Sequence, residues 1–443
     1  MKNALRPAAV LAALVCCSVF AQTGGGADGL ETWREILRFG IETEVLATIK
    51  QIADSGEQGL NGELLQLVRP ESSPALLQAV LELFGGRGSN DAEPAVLRML
   101  EGEIQNDPRR LVPMIRYLAA IRSQAAQRKL LELLDSSDDQ VATAAIGALG
   151  ALEAPDSGSR LLELLEDPRY PEGRKSQLIS ALGKLKFAPA LDALLKIAEN
   201  PEESKTRRLQ SASALGEIGD RRAVPVLRGL LADSDALLRA YAASAMAGFD
   251  MSEVQAVLQE ALRDSNARVR LAAARALATP QASPSVDILI YKARKDPDRQ
   301  VRLQAVESLA RIGGSKAFDF LRELYQDPTV DIPRREAALS ALCERNLAES
   351  LPVILSVIDR EWLRKDLSVL SFTARRLAAA EASGLESVLE RLLGHPNEMI
   401  RLYGLRGARL NKIHGLKPKI ESMAGGDPHP AVRREAAIAA GEL

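Results

Sequence analysis

The chain has 443 residues, of which 57 are Lys or Arg and 59 are Asp or Glu, so its formal net charge is −2. This near-neutral balance argues against a nucleic-acid-binding protein, and aromatic residues, at 4% of the chain, are too few to form base-stacking platforms. Three cysteines cannot build a disulfide framework for a chain of this length, so a packed apolar core has to stabilise the fold.

The N-terminus has the three parts of an export signal. Lys2 and Arg6 give a basic start, an apolar run covers 8–20, and Val19-Phe20-Ala21 supplies a small-x-small cleavage site. The apolar run is too short to span a bilayer as a helix of the mature protein. We therefore expect 1–21 to be a signal peptide and the mature protein to be periplasmic.

Two cysteines in the apolar run leave a lipoprotein tethered to the envelope as the alternative. Membrane contact would then depend on lipidation at Cys16 or Cys17, although Leu14-Val15 before them match a lipoprotein signal poorly. Without 1–21 the chain has 55 basic and 59 acidic residues, a net charge of −4, and Cys343 is its one remaining cysteine. We expect Cys343 to be a small core residue and not a reactive thiol.

The mature chain is expected to begin with a flexible Gly-rich linker over 22–29. Apolar residues over 30–58 recur at helical spacing but irregularly, which is typical of the N-terminal cap of a repeat protein. Two degenerate repeats follow over 59–123, and about ten regular repeats over 124–443. The chain stops after a second helix, so we expect the Ala-rich face around Ala436 and Ala440 to be exposed or paired with another molecule.

Each regular repeat reads as a helix, a tight turn and a second helix. The small residue near the end of the second helix recurs every 31 to 33 positions, at Ala148, Ala181, Ala214, Ala245, Ala276, Ser308, Ala341, Ala374, Gly407 and Ala439. The turn residue recurs with it, at Asp135, Asp167, Asn200, Asp233, Asp264, Asp296, Asp327, Asp359, His395 and Asp427. Within one second helix, Val301, Ala305 and Leu309 form a row of core residues that has to be buried by neighbouring repeats.

A basic residue follows the Val position in eight of the ten regular repeats. Stacked repeats would bring these side chains to the same height, beside the turn aspartates of the same or the next repeat. We therefore predict a structural ladder of charge-assisted hydrogen bonds. Its arginines are Arg208, Arg239, Arg270, Arg302, Arg335, Arg401 and Arg433, and its aspartates are Asp233, Asp264, Asp296, Asp327 and Asp427.

These repeats resemble the HEAT repeat family, in particular its short, phycobilisome-lyase-like variety. The resemblance rests on the run from Asp296 through Val301-Arg302, Ala305 and Leu309 to Gly313, and on its recurrence over nearly all of the chain after residue 58. The Trp, Gly-Tyr and Pro pattern of tetratricopeptide repeats is absent. The resemblance implies an all-α solenoid, a superhelix of about twelve helix-turn-helix repeats in the armadillo-like superfamily.

The resemblance also suggests enzymatic alternatives, because phycobilin lyases attach chromophores and deoxyhypusine hydroxylase holds two irons on repeated His-Glu pairs. The chain contains no His-Glu dipeptide, so that kind of iron site has no ligands here. Its three histidines, His395, His414 and His429, lie in the last two repeats, and we expect them to be solvated turn residues and not metal ligands. We expect no catalytic residue, no metal and no cofactor.

The second helices of a solenoid line an extended concave surface that suits a protein or peptide partner. The third and sixth residues after the Val position are expected to face outward there. Tyr and Arg are the side chains that most often anchor interfaces. We therefore predict a non-enzymatic interaction scaffold of the cell envelope, with partner-binding residues Tyr241, Arg275, Gln304, Glu307, Tyr403 and Arg406, and no nucleic-acid partner.

Overall fold

The computed structural model describes residues 27–102, 107–154 and 156–443. The signal peptide predicted over 1–21 and most of the predicted linker lie outside the described residues. Within them the chain forms 26 α-helices and no β-strand. None of the described helices is both long and apolar enough to cross a membrane.

The chain divides into two compact units, with the boundary between Ala193 and Leu194. In the first unit, the second helix of each pair packs side by side with the second helix of the next pair. The described helices of this unit are α1 (Ala27–Phe39), α2 (Glu42–Ser55), α3 (Asn61–Leu65), α4 (Pro74–Gly86), α5 (Glu93–Glu101), α6 (Pro108–Ala120), α7 (Gln127–Leu133), α8 (Asp139–Ala151), α9 (Ser157–Glu166) and α10 (Glu172–Lys184), and α11 (Leu191–Glu199) contains the boundary.

The second unit continues the alternation of first and second helices. Its second helices are α12 (Lys205–Ile218), α14 (Ala236–Ala245), α16 (Ala267–Ala276), α18 (Arg299–Ile312), α20 (Ile332–Arg345), α22 (Ser368–Ala378), α24 (Glu398–Leu410) and α26 (Pro430–Glu442). We call these eight the second-helix layer of the unit. Its first-helix layer comprises α13 (Val224–Leu230), α15 (Met251–Ala261), α17 (Val286–Lys295), α19 (Ser315–Gln326), α21 (Leu347–Glu361), α23 (Glu386–Leu393) and α25 (Lys417–Gly426).

Small residues let neighbouring second helices approach closely. A methyl group added at Gly216 in α12 would lie 2.7 Å from the Cα atom of Ala245 in α14, closer than van der Waals contact permits. The predicted row of core residues lies in the interior formed by these helices, because Val301, Ala305 and Leu309 have no exposed surface. The repeat pattern therefore places its small residues where backbones meet and its larger ones where the two helices of a pair enclose a core.

The N-terminal region differs from the prediction in one respect. Helix α1 begins at Ala27, so 27–29 are helical and not part of a flexible linker. A glycine such as Gly29 costs only about 1 kcal/mol within a helix, and packing can offset that cost. The region predicted as the N-terminal cap, over 30–58, consists of the two helices α1 and α2, and α2 packs against α4.

Candidate functional site

The second-helix layer of the second unit is held in register by arginine–aspartate bonds. In α16, Arg270 donates from Nε and Nη2 to the two carboxylate oxygens of Asp296 in the next turn, at 2.8 Å each. Its Nη1 donates to the carbonyl oxygens of Asp264 and Ser265 in its own turn, at 3.0 and 3.1 Å. One guanidinium thus satisfies two carbonyl groups of its own turn and binds the following repeat.

The aspartate has a second role within its own turn. Oδ1 of Asp296 accepts the N–H of Asp298, at 3.0 Å, and Asp298 in turn caps α18 by accepting the N–H groups of Gln300 and Val301. Burial favours a higher pKa for the Asp296 carboxyl, but the hydrogen bonds from Arg270, the Asp298 N–H and Lys292 outweigh it and hold the pKa below its ordinary value. Asp296 is therefore a carboxylate that links two repeats and shapes the turn between them.

The same interrepeat bond forms at three further steps. Arg208 donates to Asp233 at 3.0 Å, and Arg239 and Arg401 bind Asp264 and Asp427 through two bonds each, at 2.8 to 3.0 Å. Arg433 donates to the carbonyl oxygens of its own turn, at 2.7 Å from Asp427 and 3.2 Å from Pro428.

The predicted ladder is wrong at Arg302 and Arg335. Arg302 donates to the carbonyl oxygens of its own turn, but its buried Nε has no hydrogen-bond partner. Asp327, its expected partner, instead accepts from the N–H and Oγ1 of Thr329. Arg335 donates to the Tyr325 carbonyl at 2.8 Å, and its nearest carboxylate, that of Glu361, lies 3.9 Å away.

Turn length explains why the ladder fails at Arg302. Where the ladder bond forms, the turn residue precedes the capping residue by two positions, as Asp264 precedes Asn266 and Asp296 precedes Asp298. The turn that begins at Asp327 is two residues longer, because the capping residue is Asp331. The two extra residues leave the Asp327 carboxylate bonded within its own turn, out of the reach of the preceding arginine.

The longer turns have a different arginine, which the sequence analysis missed. Where the turn residue is Asp167, Asn200 or Asp327, the Val position itself holds Arg174, Arg207 or Arg334. Two of these reach back to the preceding repeat. Arg174 donates to the Asp139 carboxylate at 2.8 Å and to the Ser136 carbonyl at 3.0 Å, and Arg334 donates to the Ala293 carbonyl at 3.0 Å. The adjacent basic pairs at 174–175, 207–208 and 334–335 were the available signal.

Most of the predicted partner-binding residues lie at the surface of the second-helix layer. Tyr241 in α14, Arg275 in α16, Glu307 in α18 and Arg406 in α24 are exposed, and Tyr403 in α24 is half-buried. These residues come from four of the eight second helices, and α14, α16 and α18 are packed neighbours. The structure therefore places them along one layer.

Gln304 was predicted to face solvent and does not, because its side chain is only 7% exposed. Arg275 on the adjacent helix α16 donates from Nε to Gln304 Oε1 at 3.3 Å and covers it. The amide nitrogen of Gln304 also lies 3.5 Å from Ser308 Oγ, which donates to the Ala274 carbonyl. Gln304 therefore joins α16 to α18 and is not available to a partner.

Two open depressions lie on this layer. A cavity of about 390 Å³ between α12 and α14 is lined by Glu217, Tyr241 and Ser244. A larger groove of about 740 Å³ is lined by α18, α20 and α22, with apolar Leu303 and Ala337 and charged Glu307 and Arg376 at its surface. The mixed lining suits side chains of a peptide better than a single small molecule.

His395 was predicted to be a solvated turn residue, but it is only 3% exposed. Its Nδ1 accepts the Asn397 N–H at 3.0 Å, as the turn aspartates do, so Nε2 carries the proton and donates to the Trp362 carbonyl at 3.1 Å. Burial lowers the pKa of His395, and the nearby Arg401 and Arg391 add to the effect. The preceding ladder position is Ser368, so this turn has no arginine to bind an aspartate.

The other titratable candidates are a buried thiol and two histidines. Burial raises the pKa of the Cys343 thiol to about 12, so the thiol stays protonated at neutral pH. Nowhere in the described parts of the chain do three His, Cys, Asp or Glu side chains converge as metal ligands would. His414 is exposed, and His429 caps α26 by accepting the Ala431 N–H at 3.3 Å.

Comparisons with solved structures return distant helical-repeat proteins. The CpcE–CpcF complex of phycocyanin lyase from Nostoc is 21% identical, with 53% of this chain and 94% of that chain covered and a TM-score of 0.35. The karyopherin Kap121p, bound to Nup53p, is 14% identical, with 96% of this chain covered and a TM-score of 0.43. The chain spans about half the karyopherin's length, 54%. No curated protein matches the chain.

The family itself is established by the sequence. Residues 37–438 match the model of the spirochaete HEAT repeat proteins, which covers nearly all of the described chain. The resemblance to HEAT repeats is therefore confirmed, and with it the all-α solenoid class. The chain belongs to the spirochaete HEAT repeat protein family.

Proposed function

We propose that this protein is a non-enzymatic scaffold of the cell envelope that binds a protein or peptide on the second-helix layer of its second unit. The observation that carries the proposal is the row of exposed or half-buried interface-type side chains, Tyr241, Arg275, Tyr403 and Arg406, on a framework fixed by buried Arg–Asp bonds. A rigid support lowers the entropic cost of ordering these side chains on binding.

The framework and the binding surface use different faces of the same helices. In α24, Arg401 is 7% exposed and binds Asp427, whereas Arg406 on the opposite side of the helix is exposed. Substitutions at Arg406 or Tyr241 should therefore change binding without changing the packing of repeats. The envelope location is part of the proposal and rests on the signal-like sequence of 1–21.

Affinity capture from an envelope extract tests the proposal. The full chain serves as bait beside two variants: Tyr241→Glu with Arg406→Glu, which alters the second-helix layer, and Tyr291→Glu, which alters α17 in the first-helix layer. Tyr291 is 60% exposed, so it provides a matched surface control. We expect the same partner to be captured by the wild type and the Tyr291 variant and lost from the double variant.

Two results would contradict the proposal. A partner retained by the double variant and lost from the Tyr291→Glu variant would assign binding to the first-helix layer. Recovery of a bound chromophore, or of stoichiometric iron or zinc with the purified protein, would place the chain among enzymes or metal-handling proteins. Fractionation of cells that express the full chain tests the location, and retention in the cytoplasm would refute export.

A further inference from the structure

Three large apolar side chains are exposed on the last two helices of the second-helix layer. Met399 and Leu410 in α24 are 46% and 44% exposed, and Ile438 in α26 is 49% exposed. Tyr403, half-buried, lies between the first two, and the spacing of four and seven residues puts all three α24 residues on one helix face. We call Met399, Tyr403, Leu410 and Ile438 the apolar stripe. Helices α24 and α26 pack side by side, so the stripe crosses from one to the other.

Arginines that lack a close carboxylate lie on the same helices and on their neighbour α22. Arg376 in α22 and Arg434 in α26 are exposed and form no ion pair with any described residue. Arg406, within the face of α24 that carries the stripe, forms a long ion pair with Glu435 in α26, with its Nε 4.0 Å from the carboxylate. The two helices that pack against α24, namely α22 and α26, therefore each carry an arginine that no described carboxylate pairs with.

Three arginines of the first-helix layer, by comparison, are each paired with a carboxylate. Arg294 binds Glu323 at 2.8 Å, Arg391 binds Asp359 at 2.7 Å, and Arg322 binds Asp319 at 2.6 Å. Pairs of this kind near the surface add little to stability, but they compensate the charge of the three arginines. Arg376 and Arg434 have no such partner among the described residues, so they are available to an external anion.

We propose that the apolar stripe, with Arg376 and Arg434, binds a protein segment in which acidic side chains flank large apolar ones. This inference rests on the proposed function and specifies the partner's chemistry. The apolar side chains of the segment would cover Met399, Leu410 and Ile438, and its carboxylates would pair with Arg376 and Arg434. Arginine can bind a carboxylate through two parallel hydrogen bonds, which gives direction as well as attraction.

A single-stranded nucleic acid fits these observations less well. Proteins bind single strands by stacking the bases on aromatic side chains. The stripe offers one half-buried tyrosine among aliphatic side chains. Exposed Glu307 and Glu344, on neighbouring α18 and α20, would also repel a phosphate backbone that continued along the layer. A peptide needs only the short region around α24 and α26.

Selection from a random peptide display library against the full chain tests the inference. We expect enriched peptides to combine Asp or Glu with Leu, Phe or Met, and the synthetic peptides to bind at least about tenfold more weakly to an Arg376→Glu, Arg434→Glu variant. Binding should also weaken as salt is added. The control is Arg228→Glu with Lys295→Glu, which changes the net charge equally at exposed positions of α13 and α17. Circular dichroism melts verify that both variants fold.

The outcomes separate this inference from the proposed function. If the enriched peptides are neutral or basic and lose binding on Met399→Ser or Tyr241→Glu, the proposal of an acidic partner is wrong. The second-helix layer would then remain the binding face. Peptides that lose binding only in the Arg228, Lys295 control variant, or a library that yields no binder, would count against both. Stronger competition by a 20-nucleotide single-stranded DNA than by the acidic peptides would reassign the arginines to nucleic acid.

Discussion

Removing the carboxylate of Asp296 tests the ladder where it is most buried. The Asp296 side chain has no exposed surface, and the Arg270 side chain is 8% exposed. The carboxylate accepts two bonds from Arg270, and Lys292 Nζ lies 3.2 Å away. In the variant Asp296→Ala, both cations stay in the interior without a counter-charge, and the Asp298 N–H loses its acceptor.

The expected loss follows from these contacts. Breaking a buried ion pair by removing one partner costs about 3–5 kcal/mol, because the remaining charge is left uncompensated. Each charge-assisted hydrogen bond contributes about 1.5–3 kcal/mol, partly offset by desolvation. We expect Asp296→Ala to cost about 3–5 kcal/mol, and the double-mutant cycle with Arg270→Ala to give a coupling energy of about 2–4 kcal/mol.

The chain offers a matched control in the next repeat. Arg302 and Asp327 occupy the corresponding positions, but the structure forms no bond between their side chains. The same cycle with Arg302→Ala and Asp327→Ala should give a coupling energy below about 0.5 kcal/mol. Comparison of the two cycles isolates the interrepeat bond from the general effect of deleting an arginine or a turn aspartate.

Urea unfolding is the appropriate assay, because guanidinium chloride would screen the ion pair. Repeat proteins can unfold in segments, so amide hydrogen exchange in α16 and α18 should report the local free energy beside the global transition. Equal coupling energies in the two cycles would refute the conclusion that turn length decides which arginines bind. A coupling energy near zero for Arg270 and Asp296 would refute the ladder itself.

Three further predictions concern packing and pH. Gly216→Ala should destabilise the second unit by about 1–3 kcal/mol in urea melts, because its methyl group meets the backbone of α14, whereas Gly229→Ala, with no atom within 4 Å, should be neutral or slightly stabilising. Leu309→Ala, in the core, should cost about 2–5 kcal/mol and exposed Glu307→Ala less than about 0.5 kcal/mol; equal costs would mean that the helical phase is wrong. Because burial lowers the pKa of His395 in the folded state, the unfolded state binds its proton first; stability should fall as pH drops below about 6.5 and level off at the folded pKa. His395→Asn keeps an acceptor for the Asn397 N–H and should remove this pH dependence of stability. If the variant shows the same dependence as the wild type, His395 is not its source.

The periodicity of small residues and turn aspartates was sufficient to predict the architecture. Repetition fixes which residues stack, since each second helix repeats the relation of Val301, Ala305 and Leu309 to its neighbours. The position of a residue on its own helix predicted its exposure to solvent less reliably. It places Gln304 outward, but it contains no information about Arg275 on the adjacent helix, which covers the Gln304 side chain.

The ladder shows which bonds between repeats can be predicted from the sequence pattern of the repeats. The bonds of Arg239, Arg270 and Arg401 follow from the repeat pattern, because their turns have the same length. The failure at Arg302 depends on two extra residues in the next turn, which the spacing between Asp327 and Asp331 already contained. The burial of His395 depends on Trp362, from a different helix pair, and no rule of spacing within one repeat would have indicated it.

Photo-crosslinking at two tyrosine positions tests whether the second-helix layer is the binding face. A photoreactive phenylalanine analogue replaces Tyr241 in the second-helix layer or Tyr291 in the first-helix layer, in cells that express the full chain. We expect a discrete crosslinked protein from position 241 and none from position 291. A crosslinked protein obtained only from position 291 would contradict the assignment of the second-helix layer as the binding face.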